Sequence, residues 1–268
     1  VNVIPELWST TIVELLKNQL VGAGICNTTI AAQLNSQGDQ FHIPLAAEVT
    51  SAAYTEASTT ITYADPTDTV STLTIDQDQY SALKLSDEEI LQAGGNWQVA
   101  YATRMGYVLA ADIDTNIFAE YANAGLNSFE SGSTDWTLGA TATQFPELIA
   151  SLHRQLDNAS ASQSGRYLVL PSTGIEGYRL HVGSRATALG DTKTMNGVVD
   201  NFMGMDIIHS NNLTNETSSD HGLCGVRSDS IALAIQVSPS AVESLRLEGK
   251  FGTGIRCRAK WGVQTYRP

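Results

Sequence analysis

The sequence predicts an α+β fold, and three observations carry that prediction. Residues 39–86 form one long β-rich stretch. A helix up to 38 residues long, Asp87 to Ala124, follows it directly. The chain closes on "GIRCRAKWGV", which alternates apolar and basic side chains at the period of a strand.

The elements follow in order. Trp8, Ile12, Leu15, Leu16 and Leu20 recur at helical spacing, with Pro5 in a first turn, so a helix is expected over residues 5–20. Phe41, Ile43, Leu45, Ala47 and Val49 alternate with polar neighbours, and Pro44 assigns that strand to an edge because it cannot donate to a ladder. Ala64-Asp65-Pro66-Thr67 reads as a β-turn, with strands running into and out of it. The returning strand, Thr72 to Ser86, is apolar at its ends (Leu73, Ile75, Leu83, Leu85) and polar at its waist (Gln77, Gln79, Ser81). A two-stranded ribbon of this kind is marginal alone in water. The expectation is that something outside its own domain supplies its core, and that its waist lies over the wet, charged surface of another copy.

Ser86 and Glu89 have the spacing of a capping box, and Asp87, Glu88 and Glu89 place negative charge at the positive end of the helix. Ile90, Trp97, Tyr101, Met105, Leu109, Ile113 and Ile117 mark its apolar stripe, Gly94-Gly95 a kink or break, and Gly125 its end. Residues 127–139 read as a loop and Gln144 to Leu156 as a helix with Thr143 as its cap. "GRYLVLPS" is a buried strand, Ser172 or Thr173 caps a short helix, and Met195 to Met205 is a short helix or turn. "MDIIHS" and "SIALAIQVS" are strands, with a polar loop, Asn211 to Gly222, between them.

Composition excludes several classes of function. A net charge of −13 argues against a general grip on nucleic acid. Cys26, Cys224 and Cys257 form no CxxC pair, so neither a zinc knuckle nor a disulfide scaffold is indicated. They fit a reducing compartment. No apolar run reaches the roughly 18–20 residues needed to span a bilayer, so no membrane partner and no signal peptide is expected. The sequons at Asn27, Asn158, Asn212 and Asn215 then read as chance.

No catalytic, cofactor-binding or metal residue is assigned. His42, His153, His181, His209 and His221 lack ligand partners at three or four residues. "DIDTN" (Asp112, Asp114, Asn116) opens like a calcium loop, but Ile117 and Asn123 stand where the loop needs Gly and Glu. It reads as the solvated face of the long helix. No nucleophile elbow or phosphate-binding glycine motif is present.

Charge rows are more informative. Asp76 and Asp78 share one face of the returning strand; Arg256, Arg258 and Lys260 share one face of the last. Residues 39–83 carry seven carboxylates and no Lys or Arg, while residues 246–268 hold six of the fifteen basic residues. These five side chains are candidates for contact between copies. The alternatives are solvation of both rows, or pairing of the acids with basic groups of their own chain.

The order of elements resembles the Hong Kong 97-like major capsid proteins of tailed bacteriophages. "IPELWSTTIVELLKNQLV" is similar to the N-terminal helix of one branch, and "GDQFHIPLAAEVTSAAY" to the start of its extended loop (E-loop). "TLTIDQDQYSALKLSD" is similar to its returning arm strand before the spine helix, and "GRYLVLPSTG" and "RLEGKFGTGIRCRAKWGVQTYRP" to its later strands. The resemblance implies a non-enzymatic shell protein forming hexamers and pentamers of an icosahedral head around double-stranded DNA, with no cofactor. It implies residues 1–38 as N-terminal arm and helix, 39–86 as extended loop, and 87–140 as spine helix and peripheral domain. Residues 141–245 become the axial domain, with 211–222 a candidate for its tip, and 246–268 return to the peripheral sheet. Partners would be the portal, scaffolding and cement proteins and DNA bound without sequence preference. The location would be the virion capsid, assembled in host cytoplasm. Lys84, at the base of the arm, is the first lysine after residue 38, so no lysine–asparagine crosslink is expected and the shell is non-covalent. With no long scaffold-like segment ahead of the first helix, either trimming or a separate scaffolding protein is expected. Weighed beside this are an encapsulin-like nanocompartment shell and an acid–base hydrolase using two of the 28 acids.

Overall fold

The structure is a computed structural model that describes residues 20–29, 39–46, 49–56, 61, 63, 65, 68–93, 97–123, 144–183, 201–213, 215–216, 219–220, 222–240 and 242–267. The expected helix over residues 5–20, most of the Ala64–Thr67 turn, the 127–139 loop and the Thr143 cap lie outside the described residues.

β1 (Gln40–Leu45) and β2 (Thr69–Thr74) pair antiparallel as a ribbon, Phe41 opposite Leu73 and Pro44 opposite Val70. β3 (Gln77–Ser86) runs directly into α1 (Asp87–Ala93). The capping box forms at that junction: Ser86 N–H donates to Glu89 Oε2 at 3.0 Å, and Glu89 N–H donates to Ser86 Oγ at 3.3 Å. α2 (Trp97–Ala119) is the long helix, continued by a 3-10 turn, Glu120–Asn123. α1 and α2 are separate helices, with the glycine pair between them.

The main sheet is built around β12 (Gly252–Thr265). One edge of β12 pairs with β3 from Gly252↔Ser86 to Trp261↔Gln77. Its other edge takes β11 (Val242–Arg246) and then β10 (Ile231–Val237). The alternation read in the sequence holds. Ile255, Cys257, Ala259 and Trp261 point inward and are buried. They meet Met105, Leu109, Ile113 and Ile117 of α2, with Ile25 and Cys26 completing the core. Ile90 departs from the expected stripe and is exposed.

A second sheet has the order β5 (Asn201–Phe202), β6 (Met205–His209), β4 (Arg166–Leu170), β9 (Leu223–Val226). β4 and β6 are parallel, and α3 (Gln144–Asn158) and α4 (Ser172–Gly183) bring Phe145, Ile149, Ile175 and Tyr178 onto Leu168, Leu170, Met205 and Ile207. Of the expected helix or turn at 195–205, Asn201–Phe202 is instead a strand paired with β6, because Gly204, at positive φ, allows an immediate reversal. The start of the polar loop, Asn211–Leu213, precedes a two-residue ribbon of β7 (Asn215–Glu216) and β8 (Ser219–Asp220).

Two sequence expectations are corrected. Residues 72–86 are not one strand. The chain breaks at Ile75–Asp76 and changes sides of the sheet. Leu73 and Ile75 are buried with Ala232 and Ala234 on the outer face, whereas Leu85 is buried with α2 on the inner one. The polar waist follows from this. β3 is an edge strand whose backbone bonds to its own β12, so its side chains need little burial to hold it. The second correction concerns Asp114. It is 3% exposed rather than solvated. Its Oδ1 accepts the Gly22 N–H at 2.6 Å, and its Oδ2 accepts a hydrogen bond from Asn212 Nδ2 at 3.1 Å. Burial pushes its carboxyl pKa up, against these hydrogen bonds.

Candidate assembly surface

Alternation along β12 sends Arg256, Arg258 and Lys260 to the outer face of the main sheet. Register brings Ala82 beside Arg256, Tyr80 beside Arg258 and Asp78 beside Lys260 from β3, and Glu243 beside Arg256 from β11. The result is an open groove of about 600 Å³ whose walls include Asp78, Tyr80, Ala82, Glu243, Arg256 and Arg258. Tyr80 stands in it 78% exposed. Alternation on β3 and β11 also places Lys84 and Leu245 on this face, and Leu245 is exposed.

The charged groups are organised by pairing. Arg258 Nε donates to Asp78 Oδ1 at 2.7 Å, and Arg258 Nη2 donates to Asp78 Oδ2. That hydrogen bonding, with the nearby guanidinium charge, holds Asp78 below the usual carboxylate range. Arg256 Nε donates to Glu243 Oε2 at 2.9 Å. At the corner of the sheet, Arg246 Nη1 donates to Asp87 Oδ1 at 2.7 Å, tying β11 to α1. Each of these pairs lies within one chain. Of the five residues singled out from sequence, Asp78, Arg256 and Arg258 line the groove. Lys260 sits beside Asp78 in register, half-buried. Asp76 lies outside β3, exposed in the elbow between β2 and β3. Sequence reasoning missed Tyr80 and Glu243. The parity of β3 with Asp78 was a signal for Tyr80; Glu243 had none, because β11 was not foreseen.

The other half of the same outer face is closed by the chain itself. Ile43, Leu73 and Ile75 of the ribbon root are buried on Ala232, Ala234 and Tyr266. Val49, Tyr54, Ile61, Tyr63 and Val70 are all exposed. Among the described residues no group of three or more His, Cys, Asp or Glu could hold a metal ion. No described helix is long and apolar enough to cross a membrane.

This architecture, a ribbon leaving a sheet that is backed by one long helix, can be compared with known proteins. The phage capsid protein family matches residues 70–268. The chain belongs to that family.

The capsid protein also has full-length structural relatives. A chain of Mycobacterium phage Che8 superposes with a TM-score of 0.86 at 26% identity, covering 100% of this chain and 95% of that one. A chain from the capsid of the cyanophage P-SCSP1u gives 0.75 at 16% identity, covering 99% and 90%. One from the mature capsid of bacteriophage PhiM1 gives 0.71 at 12%, covering 99% and 90%. Among curated proteins, none matches this chain. The fold is therefore the α+β, Hong Kong 97-like capsid fold. The protein is a major capsid protein of a tailed-phage icosahedral head, a structural component of the virion that associates with copies of itself and is not an enzyme.

Proposed function

We propose that residues 46–68 form an arm that lies over the outer sheet face of a neighbouring copy, and that this contact joins subunits into hexamers and pentamers of a non-covalent shell. The observation that carries this reading is the exposure of the arm's described apolar side chains, Val49, Tyr54, Ile61 and Tyr63. Val49 is 94% and Tyr63 91% exposed, and single chains have little reason to hold such side chains in water. Charge supports the same pairing. The outer face carries Lys84, Arg256, Arg258 and Lys260 against Asp78 and Glu243, whereas residues 46–68 hold Glu48, Glu56, Asp65 and Asp68 and no Lys or Arg. Tyr80 gives the face an amphipathic anchor of the kind that concentrates binding energy. Asp76, at the elbow, adds negative charge where the arm departs.

In this reading residues 39–86 are the extended loop, α1 and α2 the spine, and β10 to β12 with β3 the peripheral sheet. Residues 141–245 include the axial domain around β4, β6 and β9, and residues 246–268 return to the peripheral sheet. The shell encloses double-stranded DNA without sequence preference, consistent with a net charge of −13. Portal, scaffolding and cement proteins complete it, and it assembles in host cytoplasm.

The test is removal of residues 52–71. The expected result is a chain with the parent's helix content and cooperative melting that forms no shells by electron microscopy. A deletion chain that unfolds would assign the arm to the local core, and one that still forms shells would remove it from assembly. Parent shells should also loosen as salt rises past about 0.5 M, because exposed charge contacts are screened over a few Å there.

A further inference from the structure

The root of the arm rests on a part of its own sheet that offers almost no side chains. The outward row there is Ala232, Ala234 and Gly262, and Ala234 pairs directly with Gly262. Both alanines are fully buried beneath the ribbon. A Cβ added to Gly262 would lie 2.1 Å from the Thr74 carbonyl oxygen, 2.8 Å from its carbon and 2.9 Å from Ile75 Cα. These are backbone atoms, which cannot rotate out of the way. Gly262 is not in the left-handed region, so close approach of the ribbon, not backbone conformation, demands glycine here.

Several contacts then hold the ribbon in that seat. Leu73 is fully buried, and Ile43 and Ile75 nearly so, on the alanines and Tyr266. The Ile75 N–H donates to Asp39 O at 2.8 Å and closes the root across its two strands. β2 ends at Thr74 and β3 starts at Gln77, so no slack chain separates the ribbon from the sheet it crosses. β3 is in turn fixed to β12 along its whole length.

We propose that Gly262, with Ala232 and Ala234, is a seat that fixes the direction in which the arm leaves the subunit before any second copy arrives. The inference rests on reading residues 46–68 as the assembly arm. A pre-aimed arm loses less conformational entropy on docking than a loose one, so the seat favours assembly without touching the neighbour. Because the seat accepts only one depth of approach, it also restricts the angle at which subunits meet.

Gly262→Ala tests the seat directly, and Leu73→Ala tests it from the ribbon side without altering the sheet. Hydrogen exchange on the unassembled full-length chain is read together with electron microscopy, under conditions in which the parent forms shells. Both variants should exchange the amides of β1 and β2 about tenfold faster or more, while α2 keeps the parent's protection. Shells should be absent or irregular. If Gly262→Ala fails to fold, Leu73→Ala carries the test. A ribbon that stays protected, or regular shells from a folded variant, overturns the seat. The chain lacking residues 52–71 separates the two ideas. Shells from that deletion overturn the arm reading itself. Loss of shells there, with regular shells from both point variants, overturns only the seat.

Discussion

Arg258 and Asp78, 180 residues apart, form a two-pronged ion pair across the β3–β12 ladder of a single chain. The same two residues belong to the rows that, from sequence, pointed to contact between copies. Their guanidinium and carboxylate are satisfied inside the subunit, so this outer face is a set of paired charges around Tyr80 rather than a row of bare cations.

The pair has a pH signature. Its guanidinium holds Asp78 ionised below the usual carboxylate range, so its contribution to folding is present above that range and is lost as pH falls through the depressed value. A double-mutant cycle of Asp78→Ala and Arg258→Ala, read as melting temperature on dissociated subunits, should show a small favourable coupling at neutral pH. That coupling should fade as pH falls below the usual carboxylate range, and in high salt. Absence of coupling at every pH would mean that the pair adds nothing to the subunit.

Asp114 carries the opposite sign. Burial raises its pKa, so the folded chain holds that proton more tightly than the unfolded chain. The stabilisation is complete below the ordinary carboxylate value and is lost as pH rises through the raised one. Asp114→Asn keeps an acceptor for the Gly22 N–H and removes the charge. Its stability should therefore fall less than the parent's between about pH 4 and pH 7. Asp114→Ala leaves Gly22 and Asn212 without this acceptor and should cost about 1–3 kcal/mol. Chemical denaturation across that pH range measures both, and parallel pH profiles for parent and Asn variant would contradict the assignment.

The thiols should be inert in the folded subunit. Burial pushes Cys26 and Cys224 up to about 12, and it raises Cys257 as well. At pH 8 only about one Cys26 in ten thousand is then a thiolate, which is the reactive form. A thiol-specific reagent should label none of the three in native protein and all three in denaturant. Rapid labelling of native Cys26 would show that its surroundings open far more often than its packing implies.

How much of this was legible depended on how local the cause was. The Ser86–Glu89 box was readable because both partners lie three residues apart. The faces of β12 were readable because alternation is a property of neighbouring residues. The burial of Asp114 was not, since its partners are Gly22 and Asn212, 92 and 98 residues away, and nothing in "DIDTN" announces them. β9 and β11 were missed because each is short and interrupted by small or charged residues, so period carried little signal.

By itself the sequence determined the alternation of β12, the long helix, the capping box and the acidic, lysine-free arm, because short-range sterics and side-chain period act within a few residues. Only the tertiary structure decided that the apparent single strand crosses from one side of the sheet to the other at Ile75–Asp76. It also decided that Asp78 meets Arg258 within one chain, and that Gly262 must lack a side chain beneath Thr74. Each of those depends on which distant backbones approach one another, and that is settled by packing of the whole core rather than by any local pattern.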